Sequence, residues 1–201
     1  MNALRGHLAE FGVIAPQGLR NVGKLVRDEG DARLPDLARQ VLQVLAAQID
    51  QLEAAVAAIE KQLMAWHKSN PVSQRLASVP GIGPIIATAI AATVVEPGGF
   101  RSGREFAAWL GLVPRQNSTG GKHRLGGISK RGNPYLRRLL INGASANLLR
   151  SKATNADPWV IGLRQRRPSL VVAVALANKT ARIAWAVPHR HENYQRVAAA
   201  A

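Results

Sequence analysis

Residues 111–140 read GLVPRQNSTGGKHRLGGISKRGNPYLRRLL. The stretch holds seven cations, Arg115, Lys122, Arg124, Lys130, Arg131, Arg137 and Arg138, together with six glycines and no acidic residue. Two serines, Ser118 and Ser129, lie among them. Gly120-Gly121 and Gly126-Gly127 permit positive φ and close backbone approach, and Pro114 and Pro134 punctuate the segment. The pattern predicts a long basic loop over 111–133 that runs into a basic helix beginning at Pro134. Long ordered loops of this kind are commonly functional. A run of cations without acids fits a phosphate backbone.

Working upstream, residues 76–90 read LASVPGIGPIIATAI. Pro80-Gly81-Ile82-Gly83 predicts a tight turn feeding a helix whose first backbone N–H groups are unpaired. Such an end can receive a phosphate, with Gly81 and Gly83 allowing the strand to come close. The element over about 76–95 is expected to be a helix-hairpin-helix; a plain helix–helix turn is the alternative. Before it, Leu42, Leu45, Ile49, Leu52, Val56, Ile59, Leu63 and Trp66 alternate spacings of three and four, the a/d seam of a coiled-coil helix over 34–69 that Ser69-Asn70-Pro71 ends. The expected partner of that seam is another helix of this chain or the same helix of a second copy. Residues 1–33 are expected to form a short amphipathic helix and a connector. His7 and Glu10 share a helix face there and read as a surface pair.

Downstream, 134–188 are expected to be helical, with Ser169–Val187 as an apolar buried helix. The fold class is therefore mainly α: a coiled-coil helix, then a helical domain over 70–201 bearing the hairpin turn and the basic loop. His189 and His191 mimic a metal cluster only superficially and read as tail residues.

With 201 residues and 47% apolar side chains the chain can bury a sizeable core. The net charge of +15 is uneven. Residues 1–60 carry 6 Lys/Arg against 8 Asp/Glu, a balance of −2, and residues 61–201 carry 21 against 4, a balance of +17. That asymmetry, with an isoelectric point near 11.6, points to nucleic acid, because each neutralised phosphate releases counterions. An anionic membrane surface is the weaker competitor. Absence of cysteine excludes disulfides and thiolate metal sites and fits a cytoplasmic protein. No uninterrupted apolar stretch of membrane-spanning length and no signal core is evident, so no membrane partner is expected.

A hydrolytic Ser-His-Asp arrangement is not suggested: His123 is near Ser118, but acids are missing between Glu105 and Asp157. A serine attacking a phosphodiester has other needs, since arginines and backbone N–H groups can stabilise charge on the non-bridging oxygens. Ser118, followed by Thr119-Gly120-Gly121-Lys122, is placed for that role, although the pattern alone favours a turn residue bonding its own backbone. Asp28, Glu29, Asp31 and Asp36 cluster in a connector and read as a solvated charge group rather than metal ligands.

The motif VPGIGPIIATAI, followed by FRSGREFAAWLGLVPRQNSTGGKHRLGGISKRGNPYLRRLLINGA, resembles the C-terminal domain of the insertion sequence 110 (116/902) type transposases, RNA-bridged recombinases of mobile elements. The resemblance covers nearly the whole chain, including the coiled-coil helix. It implies DNA as substrate, a guide (bridge) RNA as partner, target choice by RNA pairing, and a nucleophilic serine that forms a covalent link to DNA. Carried over by position that serine is Ser118, with Ser129 as second candidate. Arg115, Lys122 and Arg124 would then stabilise charge, and Lys130, Arg131, Arg137 and Arg138 would hold DNA or RNA.

The family's metal-binding carboxylates lie in a RuvC-like domain expected to precede the coiled coil. That domain has no counterpart in these residues. The expectation is a truncated form, inactive alone, with no cofactor in this chain, magnesium only in the missing domain, and homo-oligomerisation through the coiled coil. The alternatives are a non-catalytic nucleic-acid-binding protein, indifferent to loss of Ser118, and a coiled-coil assembly factor, indifferent to loss of Arg137 and Arg138.

Overall fold

The computed structural model describes residues 2–14, 16, 19–27, 33–94, 99–122, 124–150 and 157–195. Asp28, Glu29, Asp31 and His123 lie outside the described residues. The chain divides into two compact units, Met1–Gln62 and Leu63–Ala201.

In the first unit α1 (Asn2–Glu10), α2 (Leu19–Arg27) and the start of α3 (Asp36–Ser69) share a small core of Leu4, Leu8, Val13, Val26, Leu34, Leu42 and Ala46. Leu4 and Leu8 are spaced by one helical turn, so one face of α1 is apolar and turns inward. The helix ends in a Schellman arrangement: Gly12 takes a φ of 73°, its N–H bonds the Ala9 carbonyl at 2.9 Å, and the Val13 N–H bonds that of Leu8 at 3.0 Å. His7 and Glu10 form an exposed pair at 3.7 Å, as read.

The seam of α3 splits. Leu42 is buried and Leu45 and Ile49 pack on the core of this unit, whereas Leu52, Val56 and Ile59 are 66%, 54% and 63% exposed. The heptad pattern is thus satisfied within the chain over its first part and bare over its second.

The second unit is built around α9 (Ser169–Arg190), which packs on α4 (Pro71–Ala77), α6 (Gly103–Trp109), α7 (Pro134–Arg150) and α8 (Pro158–Arg164), while α5 (Pro84–Thr93) packs on α4 and α7. Small residues let α9 be approached from several sides: Ala173, Ala177, Ala181 and Ala184 are buried beside Val172, Leu176 and Val187. At the start of α6 the approach is so close that a Cβ on Gly103 would lie 2.8 Å from the Arg182 carbonyl oxygen. Phe106 anchors α6 in the core, with Phe100 edge-on at 5.2 Å and Trp109 stacked at 5.8 Å.

Both α3 and α9 are long and apolar enough to cross a membrane by length and composition. The apolar face of α9 is core, and α3 carries Asp50, Glu53, Glu60 and Lys61 along its middle.

The junction expected at Ser69-Asn70-Pro71 is present. Asn70 caps α4 by accepting the Ser73 N–H at 2.9 Å, and His67 Nδ1 meets the fully buried Ser73 hydroxyl at 2.7 Å. The segment 111–133 differs from the expected loop. It contains an antiparallel pair, β1 (Pro114–Gln116) and β2 (Leu125–Ile128), with Pro114 opposite Ile128, Gln116 opposite Leu125, and a register shift between them. The mainly helical class is as the sequence indicates; among the described residues the one sheet sits where the glycines are.

Candidate nucleic-acid interface

The hairpin is closed by Thr119-Gly120-Gly121-Lys122. Gly120 and Gly121 have φ of 56° and 74°, Thr119 bridges Lys122, and the Lys122 N–H bonds the Thr119 carbonyl at 3.1 Å. Two successive positive φ values define the primed turn that matches strand twist, and glycine adopts them without a Cβ penalty. Asn117 N–H to the Arg124 carbonyl, 2.8 Å, and Ser129 N–H to the Val113 carbonyl, 2.8 Å, continue the ladder on either side of the paired strands.

At the base of the hairpin the two incoming segments cross. A Cβ on Gly111, which has φ 71°, would lie 2.1 Å from the Arg131 carbonyl oxygen, and one on Gly132, φ 78°, would lie 1.6 Å from that of Trp109. Only glycine fits at either point. Arg137, on the first turn of α7, closes this neck: its Nη1 donates to the carbonyls of Leu110 at 3.0 Å and Arg131 at 3.1 Å. Asn133 caps the same helix, its Oδ1 accepting the N–H groups of Tyr135 at 3.0 Å and Leu136 at 3.1 Å. From the opposite side Asn178 of α9 donates from Nδ2 to the Leu112 carbonyl at 3.1 Å.

The sequence-nominated residues are therefore brought together unequally. Arg115, Lys122 and Arg124 are exposed on the hairpin, and Lys130, Arg131 and Arg138 are exposed at its neck and on α7. Six cations thus face solvent in a region without an acid between Glu105 and Asp157. Arg137 is half-buried and bound to backbone, so its first duty is structural. Ser118 is half-buried, and its Oγ accepts the Arg124 N–H at 3.2 Å. Ser129 lies at the neck end of β2, its Oγ 3.5 Å from the Arg131 N–H. The cross-strand bond orients the Ser118 hydroxyl on the cationic hairpin and leaves its own proton to be donated.

Around the other motif, α4 and α5 are joined by the turn Ser78–Gly83, with Gly81 at φ 89°. Gly81 and Gly83 part company here. A Cβ on Gly143 of α7 would lie 2.1 Å from the Gly81 carbonyl oxygen, and one on Gly81 would lie 3.2 Å from that of Gly143, so Gly81 is spent on packing the turn against α7. Gly83, at the start of α5, is exposed and has nothing within 4 Å of the position a Cβ would take.

Among the described residues no group of three His, Asp or Glu could hold a metal ion. His189, read from the sequence as a tail residue, lies instead in the last turn of α9 and stacks on Trp185 at 5.1 Å. Sequence reasoning missed Gly143, Asn178 and the tie made by Arg137, whose partners lie far away in the chain; Asn133 before Pro134 was a cap signal in plain sight.

Comparison with known proteins agrees with the motifs. Residues 73–159 match a family model described as the transposase IS116/IS110/IS902 family. Similar proteins include the "Probable family 20 transposase" of Pseudomonas aeruginosa, 49% identical across 96% of this chain and 59% of its own length. The transposase for insertion sequence element IS1111A of Coxiella burnetii is 37% identical across 97% of this chain and 55% of its own. The transposase for insertion sequence element IS1328 of Yersinia enterocolitica is 39% identical across 92% and 56%. The chain spans little more than half the length of these relatives. The part of the chain that carries the α4–α5 turn, the cationic hairpin and the start of the helical core around them, residues 73–159, is the part that is similar to the transposase IS116/IS110/IS902 family.

Proposed function

We propose that this chain is the DNA-engaging part of a transposase and that Ser118 is its nucleophile. The observation that carries this reading is a serine hydroxyl oriented by a backbone N–H on a hairpin that bears cations and no carboxylate. The Ser118 oxygen forms a bond to phosphorus of a DNA phosphodiester, the bond from phosphorus to a deoxyribose oxygen breaks, and the serine proton is released as that oxygen is protonated. Arg115, Lys122 and Arg124 offset charge on the non-bridging oxygens. Lys130, Arg131 and Arg138 hold the backbone of DNA or a guide RNA on either side. The α4–α5 turn acts as a helix-hairpin-helix clamp through Gly83 and the first N–H groups of α5. The bare part of the α3 seam joins copies of the chain in the cytoplasm. Residues 111–150 carry no carboxylate, so a divalent metal for this step would be held outside the hairpin, by the RuvC-like domain that the family resemblance implies.

The same Arg124–Ser118 bond also favours a second reading, a hairpin that binds nucleic acid without chemistry. The two are separated by incubating the chain with element-end DNA and the longer Pseudomonas relative, then mapping nucleotide adducts on this chain by mass spectrometry. The nucleophile reading expects a phosphoester adduct on the peptide holding Ser118. The adduct should be absent from Ser118→Ala, whose DNA affinity stays within about three-fold because water replaces an exposed hydrogen bond at a cost below about 1 kcal/mol. Absence of any adduct while the relative is active, or an adduct that persists in Ser118→Ala, overturns it.

A further inference from the structure

On the far flank of α9 from its buried alanines, Ser102–Arg104, α8, α9 and the segment after it line a cleft of about 1090 Å³. This is more than the roughly 300–1,000 Å³ of a small-ligand pocket. Its wall combines Arg104, Arg182 and Arg190, all exposed, with the rings of Trp159, Trp185 and Tyr194. Glu192 is the one acid in the lining, and Lys179, also in the wall, is engaged by Asp157 and lies 5.0 Å above the Trp159 ring.

The backbone at two of the rings is tied down, the Trp159 N–H to Asp157 Oδ1 at 2.9 Å and the Tyr194 N–H to Ser78 Oγ at 2.9 Å, and the Trp185 ring is stacked on His189. Arginines interleaved with aromatic rings suit a chain that has phosphates to neutralise and unpaired bases to stack, whereas a duplex hides its base faces. We propose that this cleft binds a single-stranded nucleic-acid segment, with bases against Trp159 and Tyr194 and phosphates on Arg104, Arg182 and Arg190. Asn178 lines the cleft and also holds the Leu112 carbonyl at the foot of the hairpin, so strand bound here is led toward the neck. The site is separate from the Ser118 hairpin and does not depend on that residue's chemistry.

The test uses the full chain with fluorescein-labelled rU12 and dT12 and a 20-base-pair duplex, read by anisotropy over a salt series and by tryptophan fluorescence. Arg182→Ala/Arg190→Ala is expected to bind single strand at least ten-fold more weakly, with a salt slope lower by about 1.4, and to keep duplex affinity within about two-fold. Trp159→Ala should lose about 5- to 150-fold for single strand, the range of one stacked base. Trp159→Phe, which keeps a stacking face and the local packing, should retain affinity while the quenching of tryptophan emission by oligonucleotide falls. Loss for both oligonucleotides identifies a groove blind to the sugar, and loss for rU12 alone identifies RNA as the source. Wild-type single-strand binding by the arginine variant, an equal loss on duplex, or unchanged quenching in Trp159→Phe overturns the proposal. Arg115→Ala/Arg124→Ala, which tests the hairpin, should instead weaken duplex binding.

Discussion

Gly143 sits in the middle of a helix, where glycine is less favourable than alanine by about 1 kcal/mol. The cost is accepted because any side chain would meet the Gly81 carbonyl, 2.1 Å from the Cβ position. Gly143→Ala should therefore lose about 1–3 kcal/mol despite its better helix propensity. Gly83→Ala, at an exposed position with open space and an extended φ of −88°, should change stability by less than about 0.5 kcal/mol. Thermal melting of both variants checks the contrast; a Gly143→Ala protein as stable as the parent would refute the contact. The sequence marks Gly81 and Gly83 as a pair with one purpose, and the structure gives them two. Nothing local distinguishes them, because the partner of Gly81 comes from a helix far along the chain. The same holds for Arg137, one of two adjacent arginines, which the helix turns inward onto the neck while Arg138 faces solvent.

Among elements, α3 shows how far periodicity reaches. An unbroken three-four pattern identifies a helix and its apolar edge, and both are there. The pattern does not say what covers the edge, since burial by α1 and by a second copy demand the same residues. Leu42 is buried, and Leu52, Val56 and Ile59 are not. If the exposed part is an assembly seam, Leu52→Glu/Ile59→Glu should lower the sedimentation mass to that of one chain at micromolar concentration and leave helix content unchanged, because neither side chain supports the core. An unaltered mass would sink the seam. The hairpin was legible in part: Gly-Gly between Thr119 and Lys122 is a primed-turn signal. Its flanks are too short and too polar to read as strands, PRQ on one side and LGGI on the other, so the glycine content points to a loop.

For the molecule as a whole, charge is the most legible property and the least local. The balance of −2 over residues 1–60 and +17 over the rest places the cationic field in the second unit. If Arg115, Lys122 and Arg124 each neutralise one phosphate, replacing all three by Ala should lower the slope of log K against log[salt] for a 20-base-pair duplex by about 2.7. A slope that does not move would put duplex binding elsewhere on the surface. The cleft beside α9 was illegible at this scale and at every smaller one: Arg104, Trp159, Arg182 and Tyr194 belong to four separate stretches that periodicity assigns to different elements. Packing of α6 and α8 on one helix brings them into one wall.

The crossing at Gly111 and Gly132 has a use for protein engineering. The exit point of the hairpin is fixed at its foot, by two glycines, Arg137 and Asn178, so its length is uncoupled from the body that carries it. Adding two residues to each strand in register would carry Ser118 about 7 Å farther out and return every side chain to its own face. The hairpin is in that sense an adjustable spacer on a rigid mount, and the reach of its tip can be varied as a ruler is, with the helices beneath it left alone.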